Sequence, residues 1–251
     1  MTRILLFNPN TSEDVTDRLV NAARPALAPG SQLIPVTASR GVPYIATRAE
    51  AAIASGIVLE TLAEREGSFD VAIVAAFGDP GLGGARELMT VPVIGLAEAA
   101  MLSACMLGLK FSIVSFSRAL GPWFRECVAM HGLLDRLASI RLLDSKFTSL
   151  AQVQDEKEDL LVDLALRAVE DDEADVIILA GAPLAGLAAR VRDRIPVPVV
   201  ESVIAAVKQA ELLVALNPKK ATAGTYRRPA PKSSIGLSPA LEQLLLSGPA
   251  V

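Results

Sequence analysis

Asp70-Val-Ala-Ile-Val-Ala-Ala-Phe-Gly-Asp-Pro-Gly-Leu82 is the stretch that decides how this chain folds. An apolar run of strand length breaks into a Gly/Pro turn and then opens a helix. This is the pattern of a buried parallel strand that delivers its last residues to a cleft. The stretch has an echo 105 positions on, Asp175-Val-Ile-Ile-Leu-Ala-Gly-Ala-Pro-Leu-Ala-Gly-Leu187, which matches Asp70 to Asp175, Ala75 to Ala180, Gly81 to Gly186 and Leu82 to Leu187. A Val-Pro-Val follows each copy (Val91-Pro92-Val93, Val197-Pro198-Val199) and leads into a helix containing Ala-Ala (Ala99-Ala100, Ala205-Ala206). The chain reads as two copies of one unit.

Composition narrows the class. A chain of 251 residues with 51% apolar content can bury a sizeable core. A net charge of −4, with no basic cluster before the C-terminal tail, leaves no electrostatic footprint for nucleic acid. Cys105 and Cys127 lie at neither metal-ligand nor redox spacing, and the single histidine, His131, does not complete a familiar zinc pattern with them. The cysteines are expected to be buried small hydrophobes and His131 a surface residue near a helix end; no metal is expected. No apolar run reaches the ~18 residues of a membrane helix, and Met-Thr-Arg leads straight into a strand without a signal-peptide pattern, so the expected location is cytoplasmic.

In chain order, a strand at 3–7 ends in Asn8-Pro9-Asn10-Thr11, and Thr11 or Ser12 caps a helix reaching 26. A strand at 32–36, a loop at 37–46 and a helix at 48–64 precede the opening stretch. After it come a helix at 83–88, a strand at 92–96 and an apolar helix at 98–107, expected to be buried on most faces and a conceivable oligomer interface. The second unit starts with a strand at 110–116 whose end carries Ser115, Ser117 and Arg118. A helix at 122–130, a strand at 139–143, a loop at 144–154 and a helix at 156–170 follow; the acidic run 170–173 reads as a solvated helix end. The echo strand, a helix to 194, a strand at 198–201 and a helix at 203–216 complete the unit. In the tail, Lys219-Lys220 and Arg227-Arg228 read as solvated surface, and an amphipathic helix at 239–246 packs the tail back on the body.

Strands alternating with helices imply an α/β fold of two pseudo-twofold-related halves, each a parallel sheet flanked by helices, with the site in the cleft between them. The halves are assigned as 1–109 with the tail from about 208, and 110–207. Strand ends that face one another bring Ala76 opposite Gly181, flanked by Asn8, Asn10 and Thr11 on one side and Ser115, Ser117 and Arg118 on the other.

The residues that carry these positions resemble the aspartate/glutamate racemase superfamily, in its hydantoin and allantoin racemase branch. The matching motifs are Asn8-Pro9-Asn10-Thr11, Ala75-Ala76-Phe77-Gly78-Asp79-Pro80-Gly81-Leu82, and Phe111-Ser112-Ile113-Val114-Ser115-Phe116-Ser117-Arg118. The echo at 179–188, the segment 203–208 and Ala223-Gly224-Thr225-Tyr226 also fit. The resemblance implies a cofactor-independent enzyme acting next to a carbonyl of a small-molecule substrate, a carboxylate or cyclic amide. One cysteine thiolate takes a proton from the α-carbon and a facing cysteine returns one, while backbone N–H groups hold the developing charge. At those two positions this chain has Ala76 and Gly181, neither of which transfers a proton, and Pro183 removes one N–H from the second turn.

Candidate substrate-binding residues are therefore Asn8, Asn10, Thr11, Tyr44, Ala76, Phe77, Gly78, Ser115, Ser117, Arg118, Gly181, Ala182 and Tyr226, with Thr225 as a further hydroxyl. Asp79 is the candidate replacement base, against a capping role for the helix that follows it; Glu98 and Glu201 also follow strands and are within reach of the cleft, against a role at helix starts. Three readings stay open: an enzyme working without the cysteines by isomerase, lyase, decarboxylase or ring-hydrolase chemistry; a disarmed racemase; and a small-molecule-binding module.

Overall fold

The computed structural model describes residues 1–144 and 152–248. The first unit runs β1 (Thr2–Asn8), α1 (Glu13–Ala23), β2 (Ser31–Thr37), α2 (Arg48–Glu64), β3 (Val71–Val74), α3 (Leu82–Leu88), β4 (Val93–Gly95) and α4 (Leu96–Leu107). The second runs β5 (Phe111–Ser115), α5 (Gly121–Met130), β6 (Leu137–Leu142), α6 (Val153–Asp172), β7 (Val176–Leu179), α7 (Leu187–Val191), β8 (Val199–Glu201) and α8 (Ser202–Leu216), and α9 (Pro239–Leu246) ends the chain. Every strand pair is parallel, and the two four-stranded sheets have the same order, β2-β1-β3-β4 and β6-β5-β7-β8. Most of the expected loop 144–154 lies outside the described residues.

The central strand β3 explains why the opening run is continuous rather than alternating. Val71 and Ile73 face a core shared by both units, while Ala72 and Val74 face a second cluster with residues of α2, α3 and α9, so neither face sees water. Helix starts follow local chemistry. The Ser12 hydroxyl accepts from Val15 N to open α1, and Thr47 with Glu50 forms a capping box on α2.

Helices α4 and α8 pack on each other and cross between units: α4 leaves the first sheet and lies against β5, β7 and β8, whereas α8 leaves the second and lies against β1, β3 and β4. Burial of α4 is confined to its first turns and one face. Leu102, Met106 and Leu107 are exposed, which corrects the expectation of burial on most faces. No described helix is long and apolar enough to cross a membrane.

The tail's basic pairs are not simply solvated. Lys220 Nζ donates to the carbonyls of Arg86 and Glu87, and Arg228, itself buried, donates to Leu88 O at 2.9 Å. Two cations thus satisfy the carbonyls that the C-terminus of α3 leaves without partners. Alongside them, α9 seats Leu241 and Leu244 in the outer core.

Two carboxylates fix the turns that follow β3 and β7. Asp79, at φ 50°, lies in the first turn, and its side chain reaches across to accept from Ala97 N and Glu98 N at 2.8 Å each, capping α4. Glu201, at the start of α8, reaches the opposite way and accepts from Gly186 N at 2.9 Å, at the head of α7. Gly95 occupies the place in the first unit that Glu201 holds in the second, and a Cβ there would lie 2.5 Å from the Asp79 carboxylate. Burial pushes the Glu201 carboxyl up to about 7, against the pull of N–H groups from Gly186, Ala188 and Val203.

Two outcomes follow from the clamps. Gly95→Ala forces the Asp79 carboxylate off its two N–H donors and is expected to cost about 2–4 kcal/mol in denaturant unfolding, with most of the loss appearing also in Asp79→Ala. Because Glu201 holds its proton more tightly folded than unfolded, its contribution is complete below about pH 4.5 and is lost as pH rises through 7. The stability of Glu201→Gln relative to wild type should therefore rise by about 3 kcal/mol between pH 4.5 and 8; a flat difference would overturn the assignment.

Candidate functional site at the facing strand ends

Both central strands extend their ladders by one residue before turning: Ala75 N donates to Phe7 O and Ala180 N to Val114 O. The next residues, Ala76 and Gly181, line one small cavity. The first unit adds Asn10, Tyr44, Ile45 and Phe77 to its wall, and the second adds Leu120, Trp123, Phe124, Ala182 and Pro183. Its volume is about 20 Å³, room for about one water. Gly181 has φ 109°, where a side chain is strained, and a Cβ built there lies 3.1 Å from the Phe116 ring and 3.6 Å from Ser115 Oγ. Gly78 is constrained more tightly: at φ 120°, a Cβ would fall 2.2 Å from the Trp123 indole.

Two polar side chains reach this wall, Asn10 and Tyr44, and Asn8 supports the first from behind it. Asn8 is fully buried, and its Nδ2 donates to Asn10 Oδ1, Ser12 O and Thr16 Oγ1. Ser12 N also donates to Asn10 Oδ1, which fixes the Asn10 carboxamide with its oxygen inward and leaves Nδ2 as its remaining donor. The Tyr44 hydroxyl is buried without a hydrogen-bond partner. Burial, with the Glu50 charge adding to it, pushes that phenol well above its ordinary pKa, so it keeps its proton. Among the described residues, no carbonyl accepts from the N–H groups of Phe77, Gly78 or Ala182. Ser115 holds the second turn rather than facing the cavity, its Oγ donating to Ala180 O at 2.7 Å.

Asp79 is turned away. Its side chain is fully buried, caps α4 instead of the helix that follows it, and does not line the cavity. Facing it is a group placed at the surface by sequence reasoning: the His131 side chain is only 9% exposed, with Nε2 3.0 Å from Asp79 Oδ2 and Nδ1 3.5 Å from Glu98 Oε1. Arg86 completes the group, with Nη1 donating to Glu98 Oε1 at 2.8 Å. Burial alone would lower the His131 pKa, but the two carboxylates lift it to about 9; burial alone would raise Glu98, but His131 and Arg86 hold it at about 2. Cys127 also comes closer than its sequence position suggested, its Sγ 4.0 Å from Asp79 Oδ2.

Asp79, Cys127 and His131 present ligand-type atoms within 4.8 Å of one another. As they stand the three form an ion-paired cluster around the Asp79 carboxylate. Burial and the Asp79 and Glu98 charges push the Cys127 thiol well up, His131 holds its proton to about 9, and both Asp79 oxygens already accept from α4.

Other expected residues lie elsewhere. Arg118 pairs with Asp144 at 2.9 Å on the open surface, both side chains more than two-thirds exposed. Tyr226 is 46% exposed and lies against the Arg86 guanidinium, in a groove with Lys219 and Lys220, and Thr225 is exposed beside it. Thr11 and Ser117 are half-buried and are not on the cavity wall; Thr11 N donates to Val42 O. Trp123, Phe124, Leu120 and Ile45 were missed. The available signal was the aromatic pair at the start of the helix after β5, which periodicity assigns to core. A larger cavity, of about 660 Å³, lies between α1 and the α7–α8 region with Asp14, Asp17, Arg18 and Glu201 on its wall, away from the facing strand ends.

The fold and the sequence agree with known proteins. Residues 4–210 match the family model described as Asp/Glu/Hydantoin racemase. A hydantoin racemase from Paenarthrobacter aurescens is 35% identical over 232 residues, covering 92% of this chain and 98% of that protein. The structure of an allantoin racemase from Klebsiella pneumoniae superposes with a TM-score of 0.90 at 35% identity, covering 96% of this chain and 99% of the other. An arylmalonate decarboxylase variant shares the fold at a TM-score of 0.65 and 20% identity, over 90% of this chain and 97% of the other. With most of its length matched by both sequence and structure, the chain belongs to the Asp/Glu/hydantoin racemase family.

Proposed function

We propose that this protein is a cofactor-independent enzyme acting at or near the α-carbon of a small carboxylate or cyclic amide, by a route other than the two-cysteine relay. The observation that carries the reading is the Tyr44 hydroxyl, buried on the cavity wall without a partner. Leaving a buried hydroxyl unmade costs about 1–3 kcal/mol, a cost that a bound acceptor would remove. Tyr44, Asn10 Nδ2 and the free N–H groups of Phe77, Gly78 and Ala182 form a donor set suited to an enolate or enediolate oxygen.

The chemistry that fits this wall is constrained by what it lacks. Among the residues lining the cavity, only Tyr44 titrates, and it stays protonated. Removing an α-proton needs a base on the wall, whereas loss of CO2 from an α-substituted malonate leaves its electron pair on the α-carbon without one. The two-carboxylate substrate gives CO2 and an enediolate, and the enediolate takes a proton at the α-carbon from a water to give the monocarboxylate, the hydroxide left behind being neutralised by solvent, while Tyr44 keeps its proton and donates a hydrogen bond. Decarboxylation is accordingly the preferred reaction within this class. The same absence of a base favours a second reading, a racemase scaffold that binds such ligands without turning them over.

The deciding experiment is a thermal-shift screen against α-substituted malonates, dicarboxylates, hydantoins and allantoin, followed by NMR in D2O on every stabilising compound. Product formation or α-proton exchange supports the enzyme; stabilisation with no chemical change moves the assignment to the binding scaffold; no stabilisation by any compound overturns both. Tyr44→Phe should raise the ligand-free stability by about 1 kcal/mol while cutting turnover or ligand-induced stabilisation at least tenfold, because the hydroxyl is a burden only when nothing accepts from it. Iodoacetamide near pH 7.5 should leave activity intact, since burial raises both the Cys105 and Cys127 thiols.

A further inference from the structure

The cavity as it stands does not admit the ligands just named. Small-molecule sites commonly run to several hundred Å³, and about 20 Å³ is closed. One wall has to move, and the packing shows how one of them is held. Trp123 and Phe124 come from α5 of the second unit; the Trp123 indole lies on Gly78, and the Phe124 ring packs against Phe77 with centroids 4.8 Å apart. Both Gly78 and Phe77 belong to the donor turn of the first unit.

Apart from the 4.0 Å contact of Cys127 Sγ with Asp79, two charged ties join α5 to that unit. Near the helix middle, Glu126 takes the Arg48 guanidinium, with both side chains more than half exposed, an arrangement of little energetic weight. At its C-terminus, His131 bonds Asp79 and Glu98 in a nearly dry environment. Asp79 belongs to the same turn as Phe77 and Gly78, so this second tie grips the turn that α5 covers.

We propose that His131 is a positioning residue for the cleft, a latch whose contacts to Asp79 and Glu98 hold the aromatic wall of α5 over the donor turn, and that the cleft opens to ligand when this tie is released. The proposal rests on the cleft's being the functional site, but its test needs no substrate. The groups facing the imidazole are Asp79 from the turn, Glu98 from α4 with Arg86 of α3 behind it, and Cys127 from α5 itself. His131 is charged at neutral pH, and its attraction to both carboxylates fades as pH rises through about 9.

Trp123 is the only tryptophan in the chain and therefore reports on α5 alone. Acrylamide quenching of its emission, excited at 295 nm in the intact protein, is expected to stay low from pH 7 to 8 and to rise at least threefold with a midpoint near 9, while far-UV circular dichroism is unchanged. In His131→Gln, which keeps a hydrogen-bond donor but no charge, quenching should be high and flat across the same range. Cys127→Ser should keep the wild-type midpoint, separating the imidazole from the thiol, and Arg48→Ala should leave the profile unchanged. A flat wild-type profile, a midpoint that moves with Cys127, or a His131→Gln variant that titrates like wild type would each overturn the latch. If that variant does not fold, the wild-type and Cys127→Ser titrations still decide. A screen without ligands alongside a working latch would count against the proposed function alone.

Discussion

The carboxylate of Asp79 sets the geometry on which the rest of the site depends. Two charge-assisted bonds to the first N–H groups of α4 hold it, each worth on the order of 1.5–3 kcal/mol, and they pin a turn that follows the central strand to a helix that follows the edge strand. The second unit makes the same tie with the roles reversed: Glu201 supplies the carboxylate from the helix start and the turn supplies the N–H. The first unit has no room for a second side chain at this point, since a Cβ on Gly95 would meet the Asp79 carboxylate; in the second, Leu184 stands at the position equivalent to Asp79. With the turns fixed in this way, no backbone carbonyl among the described residues accepts from the N–H groups of Phe77, Gly78 and Ala182.

Around Asp79 the structure assembles two carboxylates and two cations in series, Asp79, His131, Glu98 and Arg86. Taking such groups out of water costs several kcal/mol per ion, so the series is a weak argument for stability as such. Its geometric effect is stronger. The donor turn, α3, α4 and the end of α5 converge on it, and any slippage between units would strand a buried charge. Burial, with the same negative charges adding to it, pushes the Cys127 thiol beside it well above its ordinary range.

Period and punctuation made most of the fold legible. The doubly buried strands β3 and β7 read as unbroken apolar runs, the Pro/Gly turns marked their ends, and the internal echo identified Ala76 and Gly181 as the facing positions. What did not show in the sequence was long-range side-chain direction. Asp79 looked like a cap for the next helix because capping is a local habit, yet it caps α4, whose first residues lie 17 positions further on. His131 follows the last turn of a half-exposed helix, and only the three-dimensional approach of two carboxylates buries it. Arg118 and Tyr226 were placed by motif, but a strand-end arginine can point either way, and the tail returns along α3 instead of across the cleft. Trp123 is the instructive omission: its ring fills the space that Gly78 leaves, a complementarity between residues 45 positions apart that no periodicity reveals.

Tyr44 and Asn10 are the polar side chains on the cleft wall, and each has a donor to offer. Their neighbours are Phe77, Phe124, Trp123, Leu120 and Ile45, so each donor acts in a medium far less screening than water. Such a wall discriminates by charge development: an oxygen that becomes anionic gains more from these donors than one that stays neutral, while a neutral ligand gains little. The side chains that would generate the anion by proton abstraction are the ones absent, since Gly181 sits in a backbone conformation that strains any side chain and Asp79 is committed to α4. In the closed state the Tyr44 hydroxyl is buried without a partner, at a cost that an acceptor entering the cleft would remove. A guest that brings its own leaving group would need no base from either strand end, which is the physical ground for the function proposed above.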